Sequence, residues 1–395
     1  MRSTSCSSIA QDLLERAIAG NLPGGIPSAL LEDPCGQALF GILVEGLADR
    51  FEPTLCDAYV RLFAGAVAYA IAGLDPISLV VRYERIRRPH LTRNKPARVF
   101  VLSRITLGAD VAVTSVMLAA AKRRFPHAEI VFVAPRKNYE LFAADPRIRH
   151  APIAYPRGGL SARLGVWEEL KQLIAGNDCL VIDPDSRLTQ LGLLPVCPEE
   201  QYHFFESRAY GAESERPLPE LAAAWARESL GGNHAAPFLA LGPLPQRGPY
   251  IAVSLGVGEN AAKRLPDPFE EELLRMLAGR GLPLCIDMGA GGEEAARVAR
   301  AVERSGAKAN LWNGSFAGFA SIIAGSRFYV GYDSAGQHVA AAAGVPLISV
   351  FAGFPAPRMF TRWRPTGPHA KVIRVDEPNV ETVLQRVREA LEQTT

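Results

Sequence analysis

Between residues 98 and 375 the chain alternates short, continuous apolar runs with longer stretches whose apolar residues recur at helical spacing. Continuous apolar runs bounded by turn residues read as buried strands, and the amphipathic stretches between them read as helices. The pattern predicts strands at 98–103, 129–134 and 179–183, with helices at 110–125 and 160–175. It loses regularity around 217–249 and then restarts. The second series predicts strands at 251–255, 282–288, 328–332, 347–351 and 372–375. Helices fall between them at 268–278, 293–305, 316–324 and 336–343, and a last helix at 380–391 closes the chain.

Residues 1–80 show no strand-like run. They read as helices at 9–18, 37–48 and 55–72, broken by the turn sequences Pro23-Gly24-Gly25 and Pro34-Cys35-Gly36. A basic connector follows at 82–98, where Arg82, Arg85, Arg87, Arg88, Arg93, Lys95 and Arg98 face the single Glu84. Strand–helix alternation implies parallel sheets built from βαβ units. The expected fold class is therefore α/β, with two Rossmann-like parallel-sheet domains facing a cleft behind an extra N-terminal helical region. The boundaries fall at 1–95 for the helical region and connector, 96–245 for the first sheet domain and 246–395 for the second.

Composition narrows the function class. With 395 residues the chain is too long for one ordinary core. A net charge of +2 gives no global field for nucleic acid. Cys6, Cys35, Cys56, Cys179, Cys197 and Cys285 form no Cys-x-x-Cys pair, so neither a zinc site nor a disulfide framework is expected. That usage fits a reducing cytoplasm. Residues 1–11 lack the apolar core of a signal peptide. The longest apolar run, 62–74, is too short to span a bilayer and reads as a buried helix.

In parallel α/β folds ligands bind beyond the carboxyl ends of the strands, so the loops there carry the candidate chemistry. In the loop after the first strand, Asp110 starts a helix behind Gly108 and serves either as its cap or as a general base. After the strand at 251–255, Gly256, Gly258 and Lys263 form a glycine loop with a point charge, suited to phosphate or to an ordinary turn. Gly289 and Glu293 follow the next strand, and an acidic residue there either favours the helix start or accepts from a ribose. The most informative segment is Asp333-Ser334-Ala335-Gly336-Gln337-His338. A strand ends there in a small-residue turn and a helix N-terminus, which together offer an anion site. Arg358 lies in a rigid cationic loop that is either solvated or turned toward a base or diphosphate. Asp183, Asp185 and Arg187 are expected on the acceptor side. Asp183-Pro184-Asp185 as a metal-holding Asp-x-Asp is disfavoured, because that arrangement needs a single mixed domain.

Taken together these loops resemble glycosyltransferase family 9, the heptosyltransferases of the lipopolysaccharide inner core. The resemblance covers residues 98–375. Asp110-Val111 with Phe125-Pro126 is similar to the family's Gly-Asp-Val opening and its later Phe-Pro. Gly258 through Lys263-Arg264-Leu265-Pro266 is similar to its Lys-x-x-Pro phosphate loop. Asp333-Ser334 and His338, with Pro346 and Phe351-Ala352-Gly353, resemble its most specific signature. The chain carries Ala109 and Ala335 where the family has glycine.

The resemblance implies a GT-B fold, inversion at the anomeric carbon, no metal and no cofactor. It implies a nucleotide diphosphate sugar, ADP-heptose, as donor and a glycan or lipid-linked hydroxyl as acceptor. Asp110 would then be the catalytic base, and Lys263 with the turn from Ser334 to His338 would hold the diphosphate. By its charge alone, the basic stretch 82–98 either rests on anionic lipid at the inner membrane, which would suit a lipid-linked acceptor, or is a solvated linker. Two rival readings share the architecture: a sugar-nucleotide epimerase and a non-catalytic sugar-nucleotide scaffold.

Overall fold

The computed structural model describes residues 5–92, 95–176, 178–232, 234–242, 248–258, 260–289 and 291–394. It contains two separate parallel sheets. The first is built from β1 (Arg98–Leu102), β2 (Glu129–Ala134), β3 (Ile148–Pro152), β4 (Cys179–Asp183) and β5 (Tyr202–Phe204) in the order β3-β2-β1-β4-β5. The second holds β6 (Ile251–Ser254), β7 (Leu284–Asp287), β8 (Ala309–Trp312), β9 (Phe328–Tyr332), β10 (Leu347–Phe351) and β11 (Ala370–Arg374), in the order β11-β10-β9-β6-β7-β8. In each sheet the first strand lies between its second and fourth, so strand order reverses beside β1 and beside β6. Such switch points open a crevice at the carboxyl ends of the strands.

The N-terminal residues form α1 (Cys6–Ile18), a π-helical turn Gln37–Val44 continuing into α2 (Glu45–Ala48), α3 (Pro53–Ala70) and α4 (Pro76–Ile86). Pro53 and Pro76 open their helices, where a missing N–H costs nothing. A doubly wound sheet needs helices on both faces. Side chains alternate along β1, β2 and β4, and the two faces feed two cores. Phe100, Leu102, Val131, Val133 and Val181 pack with the N-terminal helices. Val99, Val101, Ile130, Phe132, Leu180 and Ile182 pack on the opposite side. That side is covered by α5 (Leu107–Ala109), the π-helical turn Asp110–Thr114, α6 (Ser115–Arg124) and α7 (Leu218–Leu230). The N-terminal helices are thus one wall of the first domain. Each fully buried side chain such as Phe63 or Tyr83 contributes roughly 1.5–3 kcal/mol to that attachment.

The second sheet is wrapped by α8 (Phe269–Ala278), α9 (Gly292–Ser305), α10 (Phe316–Gly325), α11 (Ala335–Ala342), α12 (Pro357–Trp363) and α13 (Val380–Glu392). Among the described residues no helix is long and apolar enough to cross a membrane.

Three expectations change. The stretch 217–249, read as irregular, contains α7, whose alanine-rich surface is almost wholly buried. Pro217 and Pro219 disguised it, although they only mark its start. β3, β5 and β8 were also missed. Arg149 and His150 interrupt β3, β5 spans three residues, and the edge strand β8 leaves Leu311 exposed.

The basic connector begins as the end of α4, at residues 82–86, and its charge is divided: Arg85, Arg88 and Lys95 are exposed, whereas Arg82 is turned inward and Arg87 partly so. Arg82 is buried, donates to the Gly192 carbonyl at 2.8 Å and lies over the Tyr202 ring. Arg87 bridges Glu206 at 2.9 Å and Asp57 at 2.8 Å, and Arg85 pairs with Glu199. Arg82 and Arg87 are thereby withdrawn from the surface, while Arg85 stays exposed beside Glu199. Arg93 lies outside the described residues.

Candidate active site

The site is assembled from the loops at the two switch points. On the second sheet, β9 ends at Tyr332 and Asp333 follows, buried. Its carboxylate accepts from the Lys263 ammonium at 2.7 Å and from the Gln337 amide. Gln337 in turn accepts from Ser349 Oγ at 2.6 Å, which ties α11 to β10. Lys263 is brought there by Gly353. That glycine has φ +67°, and a Cβ on it would meet the Ala262 carbonyl oxygen at 2.3 Å, so only glycine lets the two loops touch. Ser334 stands at the N-cap of α11 with no side-chain cap bond, leaving the first-turn amides of Ala335 and Gly336 open to an anion. His338 lies buried one turn in, its ring 5.8 Å from that of Trp363. Burial pushes its imidazole down to about 4, against the pull of Asp333, so it is neutral at physiological pH.

The glycine loop after β6 is closed over by Glu294. Its carboxylate accepts from the Val257 amide at 3.0 Å and lies against Gly256 and Gly289. Gly258 has φ +62° in the same loop. The expectation had singled out Glu293, which is exposed. The phase of α9 points the neighbouring Glu294 inward instead, and periodicity alone did not distinguish the two.

On the first sheet Asp110 is completely buried. Its Oδ1 accepts from the Arg104 amide at 2.7 Å and from Thr114 Oγ1 at 2.6 Å. Its Oδ2 accepts from Ser103 Oγ and from Asn138 Nδ2, both at 2.6 Å. A carboxylate offers about four acceptor positions, and here all are filled. Burial raises its affinity for a proton, and these donors oppose that. In this geometry Asp110 anchors the loop through both of its oxygens. Ser103, Thr114 and Asn138 were not singled out from sequence. Only Thr114 carried a signal, sitting four residues beyond Asp110 on one helical face.

Asp183 is likewise buried and saturated, accepting from the Ser186 amide, Thr189 Oγ1 and Tyr202 Oη. Burial pushes its carboxyl up to about 6. It does not line the cavity between the sheets. Asp185 and Arg187 do. Asp185 has φ +70°, accepts from Ser207 Oγ at 2.7 Å and is flanked by Arg208 at 3.3 Å and Arg104 at 3.8 Å. Arg187 reaches Glu45 in α2 at 2.8 Å.

The two halves meet. A Cβ on Gly108 would lie 3.2 Å from both Ala335 Cα and His338 Cδ2, so the Asp110 loop rests directly on the start of α11. Beside this contact is a cavity of about 80 Å³. Thr106, Ala109, Arg104, Arg208 and Trp363 line it, together with Asp49 and Phe51 from the N-terminal region. Arg358, expected on the donor, is turned elsewhere. Its guanidinium donates to the Phe51 carbonyl at 2.9 Å, to Glu213 at 3.1 Å and to the Ala212 carbonyl. It clamps the second domain onto the first, since its acceptors lie in the N-terminal region at Phe51 and in the stretch before α7 at Ala212 and Glu213. Among the described residues no group of three or more His, Cys, Asp or Glu is arranged to hold a metal ion.

Comparison with known proteins bears on this arrangement. Residues 200–390 match the profile of glycosyltransferase family 9 (heptosyltransferase). The C-terminal half is similar to a family 9 glycosyltransferase. The matched range takes in the whole second sheet, with Lys263, Asp333 and His338. The chain is 27% identical over 282 residues to lipopolysaccharide heptosyltransferase 1 of Pseudomonas aeruginosa, covering 64% of this chain and 78% of that protein. Its fold is similar to that of E. coli heptosyltransferase WaaC solved with ADP, with a TM-score of 0.57 at 20% identity, covering 75% of this chain and 100% of the other. It is also similar to E. coli ADP-heptose lps heptosyltransferase II, with a TM-score of 0.54 at 21% identity, covering 75% and 98%. The chain is a glycosyltransferase with the two-domain GT-B fold.

Proposed function

We propose that this glycosyltransferase moves a heptosyl group from ADP-heptose to a hydroxyl of a glycan or lipid-linked acceptor. Transfer proceeds with inversion at the anomeric carbon and uses neither a metal nor a cofactor. The observation that carries this reading is the junction of Lys263, Asp333 and the open N-terminus of α11 with a cavity on the opposite sheet. The diphosphate would lie against the first-turn amides of α11 and displace Asp333 as the partner of Lys263. Fixed donors of that kind stabilise the charge that grows on the leaving group. Glu294, at the glycine loop, is suited to the ribose hydroxyls. The acceptor would enter through the cavity bounded by Arg104, Asp185 and Arg187.

The test is turnover of ADP-heptose with a chelator present, followed by NMR of the product's anomeric centre. Release of ADP with inverted configuration is expected. Retained configuration, or a chelator-sensitive reaction, would overturn the mechanism. Conversion of a nucleotide sugar without any acceptor would favour epimerisation instead.

A further inference from the structure

We propose that the N-terminal helical region selects the acceptor: Glu45 and Asp49 turn an arginine-lined cavity into a subsite for a neutral, polyhydroxylated sugar ring. This rests on the transferase reading above and deepens it by naming the class of acceptor. Three observations support it.

The first is the charge on the cavity wall. The first sheet domain contributes Arg104, Arg163, Arg187 and Arg208 to it, together with Asp185. Such a wall by itself would draw an acidic group. Among the described residues of the wall, the N-terminal region adds Glu45 and Asp49 and no cation. These two lie four positions apart on α2 and its cap, so they share one face. Four arginines then face three carboxylates. A phosphate or carboxylate entering the cavity would meet like charge on the N-terminal side, and such juxtaposition is costly once water is displaced.

The second is that the cations are already engaged. Arg187 pairs with Glu45 at 2.8 Å and Arg208 with Asp185 at 3.3 Å. Arg104 donates to Ser207 Oγ at 2.8 Å and to the Pro184 carbonyl. Arg163 donates to the Gly158 carbonyl at 2.9 Å and lies over the Phe40 ring at 4.0 Å. An anion would have to break these contacts. A hydroxyl need not, since it accepts from a guanidinium and donates to a carboxylate at once. Asp185 keeps a place for such a donor: its buried Oδ1 receives no hydrogen bond among the described residues. Tyr155 and Trp363 add aromatic surface for the face of a sugar ring.

The third is that the two carboxylates are held in place beside the reaction. Tyr59 Oη ties the N-terminal region to the cavity wall by donating to the Gln190 carbonyl at 3.0 Å. Phe51 packs edge-on against Trp363 of the second domain, with ring centroids 6.4 Å apart. Glu45 and Asp49 are therefore fixed parts of the wall, and fixed groups discriminate more sharply than solvated ones. Thr106 and Ala109, from the loop that carries Asp110, line the same cavity. A ring seated there brings its hydroxyls to the place of transfer.

The experiment measures transfer from ADP-heptose to two deacylated lipopolysaccharide cores, one ending in heptose, a neutral sugar, and one ending in an acidic sugar. The full chain is compared with Glu45→Gln and Asp49→Asn, which remove charge and keep shape. ADP affinity is followed by calorimetry and folding by thermal melting. Wild-type protein should show the higher kcat/KM on the neutral end. In each variant the ratio of neutral to acidic kcat/KM should fall at least about tenfold, through KM, with ADP affinity and melting temperature unchanged. A wild-type preference for the acidic end overturns the proposal, and so does a ratio that either variant leaves unchanged. Ratios that move only together with a lowered melting temperature mark a folding defect and overturn it too. Release of ADP to water with transfer to neither core has the same consequence. If the wild-type chain releases no ADP with either core or with water, the transferase reading itself fails, a result distinct from a changed preference.

Discussion

The loops of the two sheets meet at one site but are built on opposite terms. On the first sheet the acidic groups are buried and their acceptor positions occupied. Asp110 takes four donors, Asp183 takes three, and Asp185 sits between two arginines and a serine. On the second sheet the helix start at Ser334 is uncapped and Lys263 is partly exposed. The difference follows from what covers each sheet. The N-terminal helices seal the loops of the first, and sealed polar groups must find protein partners. The second sheet ends in a crevice whose groups keep capacity for a ligand. One half of the site is therefore pre-organised by packing and the other is completed by what binds.

The comparison can be broken most severely at the cover. Arg87→Ala leaves Glu206, which is 6% exposed, without its guanidinium partner. A loss of about 4 kcal/mol is expected by denaturant unfolding. A loss under about 1 kcal/mol would mean that the N-terminal helices are a separable appendage rather than a wall. Next is Asp110→Ala, which strands four buried donors and should cost about 3 kcal/mol in the same assay. An unchanged melting curve would deny the network its structural role.

The second half is sharpened by pH. The unfolded chain binds a proton at His338 below about 6.5, whereas the folded protein resists it down to about 4. The stability from keeping the ring neutral is complete above 6.5 and is lost as the pH falls from 6.5 toward 4. Between pH 6.5 and 5 wild-type protein should therefore lose about 2 kcal/mol more than His338→Gln. Parallel pH profiles for the two proteins would contradict a buried, neutral ring. The smallest effect is expected at Lys263→Ala, which should weaken ADP about tenfold, or about 1.4 kcal/mol, with little change in melting temperature. Undiminished affinity by calorimetry would remove Lys263 from the donor site.

Much of the scaffold was legible. β4, β9 and β10 are continuous apolar runs ending in polar turns, and a strand buried on both faces can hardly look otherwise. Edge strands were less so, because β3 and β8 leave polar or exposed residues in their runs. The segment Asp333 to His338 announced itself by a strand end, small residues and a helix start in immediate succession. Glu294 was hidden by its neighbour Glu293, since only the packed phase of α9 tells which one turns inward. Arg358 was misdirected because a charge shows its sign in sequence but not its partner.

The sequence by itself determined the two parallel sheets, their order along the chain and the loops at which a phosphate could be held. Those properties depend on local periodicity and on residue types a few positions apart. Tertiary structure decided which acids are structural and which face the cavity, and it made the N-terminal helices part of the site. Those outcomes turn on contacts such as Phe51 to Arg358 and Asn138 to Asp110, between residues far apart in the chain. Whether a carboxylate is saturated or open is set by how many donors packing brings to it, and no short window of sequence contains that count.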